Sequence, residues 1–200
     1  MKSLRRKLTY QLSMLGLLFS LTVSALAASD FFELVKEEAE NGNVASQRQV
    51  GYMYDKGEDV KKDTKEAIKW YRKSADNGDA VSQVLLGFKY DTGDGVPQDY
   101  FEAAKLYRKA ANQGNAEAQN NLGAMYGSGQ GVRQNYAEAL KWYKKSANQN
   151  HPVAQYNLGA IYASGKGAPQ NKVIAKEWYG KSCDNEYQKG CDAYRRMNQQ

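Results

Sequence analysis

The fold is decided by the nine-residue segment AQNNLGAMY at 118–126, because variants of it return at a fixed interval. The chain also contains SQRQVGYMY at 46–54, SQVLLGFKY at 82–90 and AQYNLGAIY at 154–162, so that each copy begins 36 residues after the previous one. A constant interval of this length is typical of stacked supersecondary units, each of which buries its apolar face against its neighbours. The chain is therefore predicted to be a repeat array.

Small and apolar residues recur at helical spacing within each copy, which predicts that the copy forms the first helix of its repeat. The sixth position is always glycine: Gly51, Gly87, Gly123 and Gly159. A glycine inside a helix costs about 1 kcal/mol relative to alanine. Its return at one register therefore indicates that a second helix crosses closely at that point.

A linker with two glycines follows the first helix, as in Gly129-Gln130-Gly131-Val132. Its glycines suit a helix C-cap and a turn with positive φ. In the first repeat Asp59 replaces the second glycine, and aspartate tolerates the left-handed region better than most residues. A phosphate-binding loop is the alternative, but the linker occurs in all four repeats and lacks the Gly-Lys-Ser/Thr ending of such loops.

The second helix of each repeat opens at an aspartate or asparagine: Asp63, Asp99, Asn135 and Asn171. In the first three repeats a glutamate follows three residues later, which predicts a capping box. The fourth repeat has Ile174 there, so its helix start is expected to be less well fixed. Further along the second helix, the pattern Ala-x-x-Trp/Leu-Tyr predicts a row of buried side chains, the seam. The alternative is that these aromatic rings are exposed and stack on bases or sugars.

Together these patterns, including AEALKWYKKSA at 137–147, resemble the Sel1-like repeat family, a relative of the tetratricopeptide repeats. The resemblance implies an all-α fold, an α/α solenoid in which antiparallel helix pairs stack into a right-handed superhelix. It also implies that the first helices line a concave face that binds other proteins.

The register of the repeats predicts the organisation of the whole chain. A signal peptide at 1–27 precedes an N-terminal half-repeat cap at 28–43, and a C-terminal capping helix is expected at 188–200. The four Sel1-like repeats are expected at 44–79, 80–115, 116–151 and 152–187. Terminal repeats of a solenoid are atypical because one of their faces meets water.

The N-terminal segment has the pattern of a secretory leader. Four basic residues within the first seven precede an apolar run at 12–26, and cleavage is expected after Ala27. This pattern predicts a periplasmic or secreted protein without stable membrane insertion after cleavage. Loss of the leader lowers the net charge from +6 to about +2, which removes the main support for nucleic-acid binding.

Cys183 and Cys191 are the only cysteines of the chain. In the repeat register they replace an alanine and a glutamine, at positions expected to face each other across a helix-turn-helix. An oxidising compartment favours a disulfide, and so short a loop would add about 2.5 kcal/mol of stability. The spacing also resembles that of the cysteine-rich Sel1-like proteins. A redox or metal site is the alternative, but two cysteines without nearby histidines cannot complete a zinc site.

The sequence offers no recognisable residues for catalysis, a metal or a cofactor. His151 is the single histidine and is expected in a turn between two repeats. The Ser-x-x-Lys motif of serine-type β-lactam enzymes does not occur after residue 27. The predicted function is therefore non-enzymatic protein binding. A hydrolase or penicillin-binding protein acting on cell wall or β-lactams is the alternative, and it rests on family analogy alone.

Inward-facing positions are expected three residues before and one residue after each helical glycine, as the tetratricopeptide-like arrangement implies. These positions are Arg48, Tyr52, Val84, Phe88, Asn120, Ala124, Tyr156 and Ala160, and their polar neighbours are Asp55, Asp91, Asn121 and Asn157. The set varies between repeats, which suits a surface tailored to one partner. The predicted anchors are Arg48, Tyr52, Phe88 and Tyr156. Packing against the adjacent helix is the alternative for Val84 and Phe88.

The partner is predicted to be a protein, either a secreted toxin or a protein of the cell envelope. In the first case the chain would act as a periplasmic immunity protein that neutralises the toxin. No nucleic acid and no membrane partner is expected, and the protein itself is expected to be a monomer.

Overall fold

The computed structural model describes residues 31–199, and within that range the chain forms ten α-helices and no strand. The predicted all-α repeat fold is confirmed. The helices are α1 (31–40), α2 (Val44–Lys56), α3 (Thr64–Asp76), α4 (Ala80–Thr92), α5 (Tyr100–Asn112), α6 (Ala116–Ser128), α7 (Tyr136–Ala147), α8 (Pro152–Ser164), α9 (Lys172–Asp184) and α10 (Gln188–Asn198). The predicted signal peptide and its cleavage site lie outside the described residues.

Two compact units divide the chain after Lys73, which lies in α3. Of the described residues, the first unit contains α1, α2 and most of α3. The second unit contains the last residues of α3 and all of α4 to α10. Each unit has buried apolar clusters of its own, with Val50 and Trp70 together in the first and Leu122 and Trp142 together in the second.

A tyrosine ring of the second helix lies against the glycine of the first helix in every repeat. A Cβ atom added at Gly51 would stand 2.6 Å from the Tyr71 ring, and one added at Gly123 would stand 2.9 Å from the Tyr143 ring. The other two pairs are Gly87 with Tyr107 and Gly159 with Tyr179. No side-chain carbon fits at such distances, so the predicted close crossing of the two helices is confirmed.

The linkers fold as their glycines predict. The first helices end at Gly57, Gly93, Gly129 and Gly165, each in the left-handed region. Asp59 adopts a φ of 57°, whereas Gly95 at the same register in the second repeat has a φ of 79°. The expectation that aspartate substitutes for glycine in this turn is therefore confirmed.

The second helices begin at the predicted N-caps, but the capping box is only half formed. The side chain of Asp99 accepts hydrogen bonds from the backbone N–H groups of Phe101 and Glu102. The return bond from the glutamate is not made, because the N–H of Asp99 already donates to the Tyr90 carbonyl at 2.9 Å. Glu102 pairs with Lys105 instead, at 3.1 Å. The equivalent backbone bonds join Asp63 to Tyr54 and Asn135 to Tyr126.

The expectation of a loosely fixed helix start in the fourth repeat is wrong. The Asn171 side chain accepts from the N–H groups of Val173 and Ile174 at 3.1 and 3.0 Å. Its own N–H donates to the Tyr162 carbonyl at 2.8 Å. The cap needs only the asparagine oxygen and that carbonyl, so an isoleucine in place of the glutamate leaves the helix start intact.

The predicted seam is buried at Trp70 and Trp142, whereas Trp178 is half-buried. A lysine ammonium lies over each indole ring, at 4.0 Å from the centroid for Trp70 and at 4.3 Å for Trp142 and Trp178. These cation–π contacts cover one face of each ring. The aromatic stripe is therefore a packing feature and leaves little ring surface for stacking on bases or sugars.

A buried glutamine ties each first helix to the helix before it. Gln47 Nε2 donates to the Ala39 carbonyl at 3.1 Å, and Gln83 and Gln119 donate at the same distance to residues eight positions earlier. In the second unit the glutamine oxygen also accepts from the following repeat, as Gln113 Nε2 donates to Gln83 Oε1 at 2.9 Å. The amide thereby satisfies both a donor and an acceptor away from water.

Between α9 and α10, Cys183 and Cys191 stand at the registers that the alanine and the glutamine occupy in the earlier repeats. The two residues form a disulfide, with their Cα atoms 4.4 Å apart, so the predicted bridge is confirmed. One repeat earlier, Gln155 Nε2 donates to the Ala147 carbonyl. The bridge replaces that hydrogen bond by a covalent link and joins α9 to α10.

We expect Gly123→Ala to lower the free energy of unfolding by about 1–3 kcal/mol, because the added methyl group must displace the buried Tyr143 ring. Gly127→Ala, in the same helix, is the matched control, since its Cβ would meet only the Ala139 Cβ at 4.0 Å. The control is expected to be neutral or stabilising by up to about 1 kcal/mol. Urea unfolding followed by circular dichroism measures both, and equal effects would contradict the packing role.

The double variant Cys183→Ala/Cys191→Gln restores the residue types of the other repeats. We expect it to be more stable than Cys183→Ala/Cys191→Ala by about 1 kcal/mol, because a glutamine at 191 can donate to the carbonyl of residue 183. Both are expected to be less stable than the bridged protein, by up to about 2.5 kcal/mol for the alanine variant. Urea unfolding measures the three proteins. Equal stability of the two variants would show that the hydrogen bond does not form.

Candidate functional site

In the first unit, α2 carries three of the predicted partner-binding residues, Arg48, Tyr52 and Asp55. Tyr52 is 38% exposed, and the Lys56 ammonium lies 5.7 Å from the centroid of its ring. Arg48 and Asp55 are half-buried. Tyr52 is thus the most accessible side chain of the three.

The hydroxyl group of Tyr71 lies close to these residues. It is buried and has no hydrogen-bond partner among residues 31–199. Burial above all raises the pKa of Tyr71, and the nearby Asp55 carboxylate adds to the shift. The hydroxyl is therefore neutral at physiological pH, and it keeps an unused donor beneath the predicted surface.

In the second and third repeats, the two predicted positions differ in exposure, whereas Tyr156 and Ala160 of the fourth repeat are both half-buried. Phe88, one residue after its glycine, is 53% exposed, and Ala124 at the same register is exposed as well. Val84 and Asn120, three residues before their glycines, are only 5% and 7% exposed. Val84 belongs to the core cluster that contains Leu122. The structure thus places Val84 in the interior, and we leave it out of the proposed surface.

Three asparagines form a connected chain of amide hydrogen bonds. Asn157 Nδ2 donates to Asn120 Oδ1 at 3.1 Å, and Asn120 Nδ2 donates to Asn121 Oδ1 at 3.2 Å. Asn157 lies on α8 and the other two lie on α6, so the chain connects the two first helices. Asn120 is buried, whereas Asn121 and Asn157 are half-buried, so these two are the members of the chain that a partner could contact.

Tyr156 and Asp91 are both half-buried at their predicted places. The ring centroid of Tyr156 lies 5.5 Å from that of Tyr179 and 5.6 Å from that of Tyr187, so this tyrosine packs inside an aromatic group. Burial raises the pKa of the Asp91 carboxyl group. Burial also raises the pKa of Tyr107, with the Asp91 carboxylate as the second cause. Because its ring packs against two other tyrosines, Tyr156 offers less free surface to a partner than Phe88 does.

A cavity of about 190 Å³ opens among α6, α7 and α8 beside these residues. Its lining includes Gly127, Tyr143, Asn157 and Ala160, and burial raises the pKa of Tyr143 to about 12. Gly127 stands at the register that aspartate occupies in the first two repeats, so the missing side chain leaves this space. Sequence reasoning missed the cavity, although the change from aspartate to glycine at one register was a usable signal.

Lys89 is a second feature that sequence reasoning did not place. It is 5% exposed, and its ammonium group lies 2.6 Å from the Asp94 carboxylate in the following linker. The other repeats have methionine or isoleucine at this register, and that departure was the signal for a local ion pair. The pair connects α4 to its linker and belongs to the architecture of the repeat.

His151 is the N-cap of α8, which is a more specific role than the turn residue predicted. Its Nδ1 accepts a hydrogen bond from the Ala154 N–H at 3.3 Å. At the same register, Asn115 accepts through its side-chain oxygen at 2.9 Å. Burial lowers the pKa of His151, and the Glu117 carboxylate partly opposes this shift. The neutral imidazole thus serves as a helix cap.

Residues 31–199 include no cluster of three or more His, Cys, Asp or Glu that could hold a metal ion. Over the same residues, no helix combines the length and apolar character needed to cross a membrane. Both cysteines of this region are used by the disulfide.

Helix pairs joined by short linkers, with a tyrosine on a glycine in each pair, define an α/α repeat protein. The chain belongs to the Sel1 repeat family, because the model of the Sel1 repeat matches residues 44–79, 80–115, 116–151 and 152–187. No curated protein gives a significant match.

Solved structures show the same fold. A protective antigen of uropathogenic Escherichia coli strains, which displays an SLR fold, is 38% identical with a TM-score of 0.78 over 80% of this chain. The match covers 34% of that protein, so the chain spans about a third of its length. A Sel1 repeat protein from Oxalobacter formigenes is 29% identical with a TM-score of 0.77, over 86% of this chain and 78% of that one.

An immunity protein from Pseudomonas aeruginosa is a more distant likeness. It is 21% identical with a TM-score of 0.53, and the match covers 80% of this chain and 58% of that one. At this level of identity the likeness shows the fold alone.

We expect the free energy of unfolding to fall as the pH is lowered from about 7.5 through the ordinary histidine pKa of about 6.5. In that range the unfolded chain binds a proton that the folded His151 resists, and a protonated Nδ1 cannot accept the Ala154 N–H. Below the lowered pKa of the folded state, this residue causes no further loss. His151→Asn keeps a cap that does not titrate. Urea unfolding at several pH values compares the two, and an unchanged pH dependence would contradict this role.

Proposed function

We propose that this protein is an exported, non-enzymatic scaffold that binds a protein partner through side chains of its first helices. Membership of the Sel1 repeat family supports a role in protein interaction. The leader-like N-terminal sequence and the disulfide support export to an oxidising compartment. No observation on residues 31–199 favours the hydrolase alternative.

One contrast between the repeats carries the proposal. The glycine and the tyrosine that covers it are the same in every repeat and are buried. The residue after the glycine changes between repeats, from Tyr52 and Phe88 to alanine at 124 and 160, and it is exposed in the first three repeats and half-buried in the fourth. A constant interior with a changing exterior is the arrangement expected of a scaffold whose surface is fitted to one partner.

Phe88 is the leading anchor of this surface in the second unit. More than half of its side chain is open to solvent, and the half-buried Asp91 lies one helical turn further along α4. An exposed aromatic group beside a carboxylate and amides provides an apolar contact with a polar rim, as interface centres commonly do. The cavity beside Gly127 offers space for a partner side chain on the neighbouring helices.

A narrower proposal is that the partner is a secreted toxin, which this protein neutralises in the periplasm. The leader-like sequence supports this role, because it would place the chain where such a toxin acts. An immunity protein of Pseudomonas aeruginosa shares the fold, which makes the role compatible with the architecture.

We expect Phe88→Ala to reduce capture of the partner at least tenfold, because an aromatic anchor commonly contributes about 2 kcal/mol or more to binding. Val173→Ala is the matched control: Val173 is 69% exposed, but it lies on the second helix α9. The test is affinity capture from periplasmic and secreted extracts, with residues 28–200 in the disulfide form as bait and mass spectrometry as readout. Equal capture by both variants would contradict binding through the first helices.

The narrower proposal has its own test. A strain that lacks this protein is expected to become sensitive to a toxin secreted by its siblings, and expression of the intact protein should restore resistance. The Phe88→Ala protein should restore it less well than Val173→Ala. Full resistance of the deleted strain to every toxin encoded nearby would remove the immunity role and leave the scaffold proposal standing.

A further inference from the structure

The second unit contains a larger cavity that the proposed surface does not use. It has a volume of about 570 Å³ and lies among α5, the end of α6 and the linker that leads into α7. Its lining includes Phe101, Arg108, Tyr126, Arg133, Gln134 and Glu138. A volume of this size is typical of sites for small ligands or for a short segment of a partner.

The linker can form this wall because Gly131 lies directly on the start of α5. A Cβ atom at Gly131 would overlap the Tyr100 carbonyl, so only glycine permits this approach. The approach brings the linker residue Arg133 to the same cavity as Phe101, which is 72% exposed on α5. A cationic group and an apolar group thus border one space.

The cavity carries more positive charge than its own acids balance. Within residues 31–199, neither Arg108 nor Arg133 contacts a carboxylate. The Arg108 guanidinium carbon lies 5.5 Å from the centroid of the Tyr126 ring, a cation–π contact that does not use its N–H groups. Glu138 is the one acidic residue of the lining, and it pairs with Lys141 at 3.4 Å.

This combination occurs at one junction between two repeats only. At the register of Arg133 the other repeats have Lys61, Pro97 and Pro169, so two linkers have no charged side chain there. At the register of Phe101 they have Lys65, Ala137 and Val173. A cation also stands at the register of Arg108 in two other repeats, as Arg72 and Lys144, so Arg133 and the exposed Phe101 are what distinguish this site from the repeat fold.

We propose that this cavity binds a ligand in which an anionic group, a carboxylate or a phosphate, stands next to an aromatic group. Guanidinium groups bind both anions through paired N–H donors, and the two arginines reach the space from different elements. Phe101 supplies the apolar contact for the neighbouring ring of the ligand. The site lies on α5, the start of α7, the linker and the end of α6, and it includes none of the residues of the proposed first-helix surface.

Phenyl phosphate and benzoate are the probes that test this site, and inorganic phosphate measures the contribution of the charge alone. Titration of the ¹⁵N-labelled protein is expected to give saturable shifts of the amide signals of residues 131–134 and of Phe101. Arg108→Gln and Arg133→Gln should each raise the dissociation constant at least tenfold. Phe101→Ala should raise it about fivefold for phenyl phosphate and leave the binding of inorganic phosphate unchanged.

Arg196→Gln is the matched control, because this exposed arginine lies on α10 away from the lining. The variants change exposed side chains, and their urea unfolding curves check that each one folds. Saturation by phenyl phosphate, by benzoate or by both supports the site and defines which anion it accepts. Shifts that stay linear with both probes, or affinities that the arginine variants do not change, would overturn the proposal.

Discussion

The contact between a tyrosine ring and a helical glycine controls the geometry of every repeat. Because glycine has no side chain, the second helix approaches until the ring covers the backbone of the first. This approach also brings the start of the second helix to the end of the first, where the N-cap N–H donates to a carbonyl of the first helix's last turn. The alanines of the seam are buried by the same approach: Ala67, Ala103, Ala139 and Ala175. One contact therefore determines helix spacing, linker closure and core packing together.

Features that depend on one register of the repeat could be predicted from the sequence. The glycine crossing, the left-handed linker positions and the disulfide all follow from comparing equivalent residues. The capping box could not be judged in this way, because a backbone carbonyl from the preceding helix competes for the N–H of Asp99. The cap formed by His151 was missed because histidine is not one of the residue types that usually cap a helix. Its neutral Nδ1 nevertheless accepts the same backbone hydrogen bond as the asparagine oxygen does.

The candidate surface was predictable only in part, because the two positions chosen in each repeat lie at different angles around the helix axis. Successive residues of a helix are about 100° apart, so a residue three before the glycine lies about 60° from it, and a residue one after lies about 100° from it. Val84 and Asn120 are thus turned toward the interior, while Phe88 points away from it. The cavity with two arginines depends on how the linker of the third repeat lies on α5. Such a contact between repeats has no signal in the spacing of either one.

The bridge between α9 and α10 changes how the C-terminal end of the array opens. In a solenoid each helix is held by its neighbours, so the last helix is ordinarily the first to fray. The first turn of α10 cannot leave α9, because Cys191 is linked to Cys183 on α9, and α9 is held to α8 by the Tyr179 ring on Gly159. Fraying from this end is therefore confined to the turns after Cys191, and in an oxidising compartment proteases meet only that short segment. Where thiols are kept reduced, this link is absent and the whole of α10 can fray.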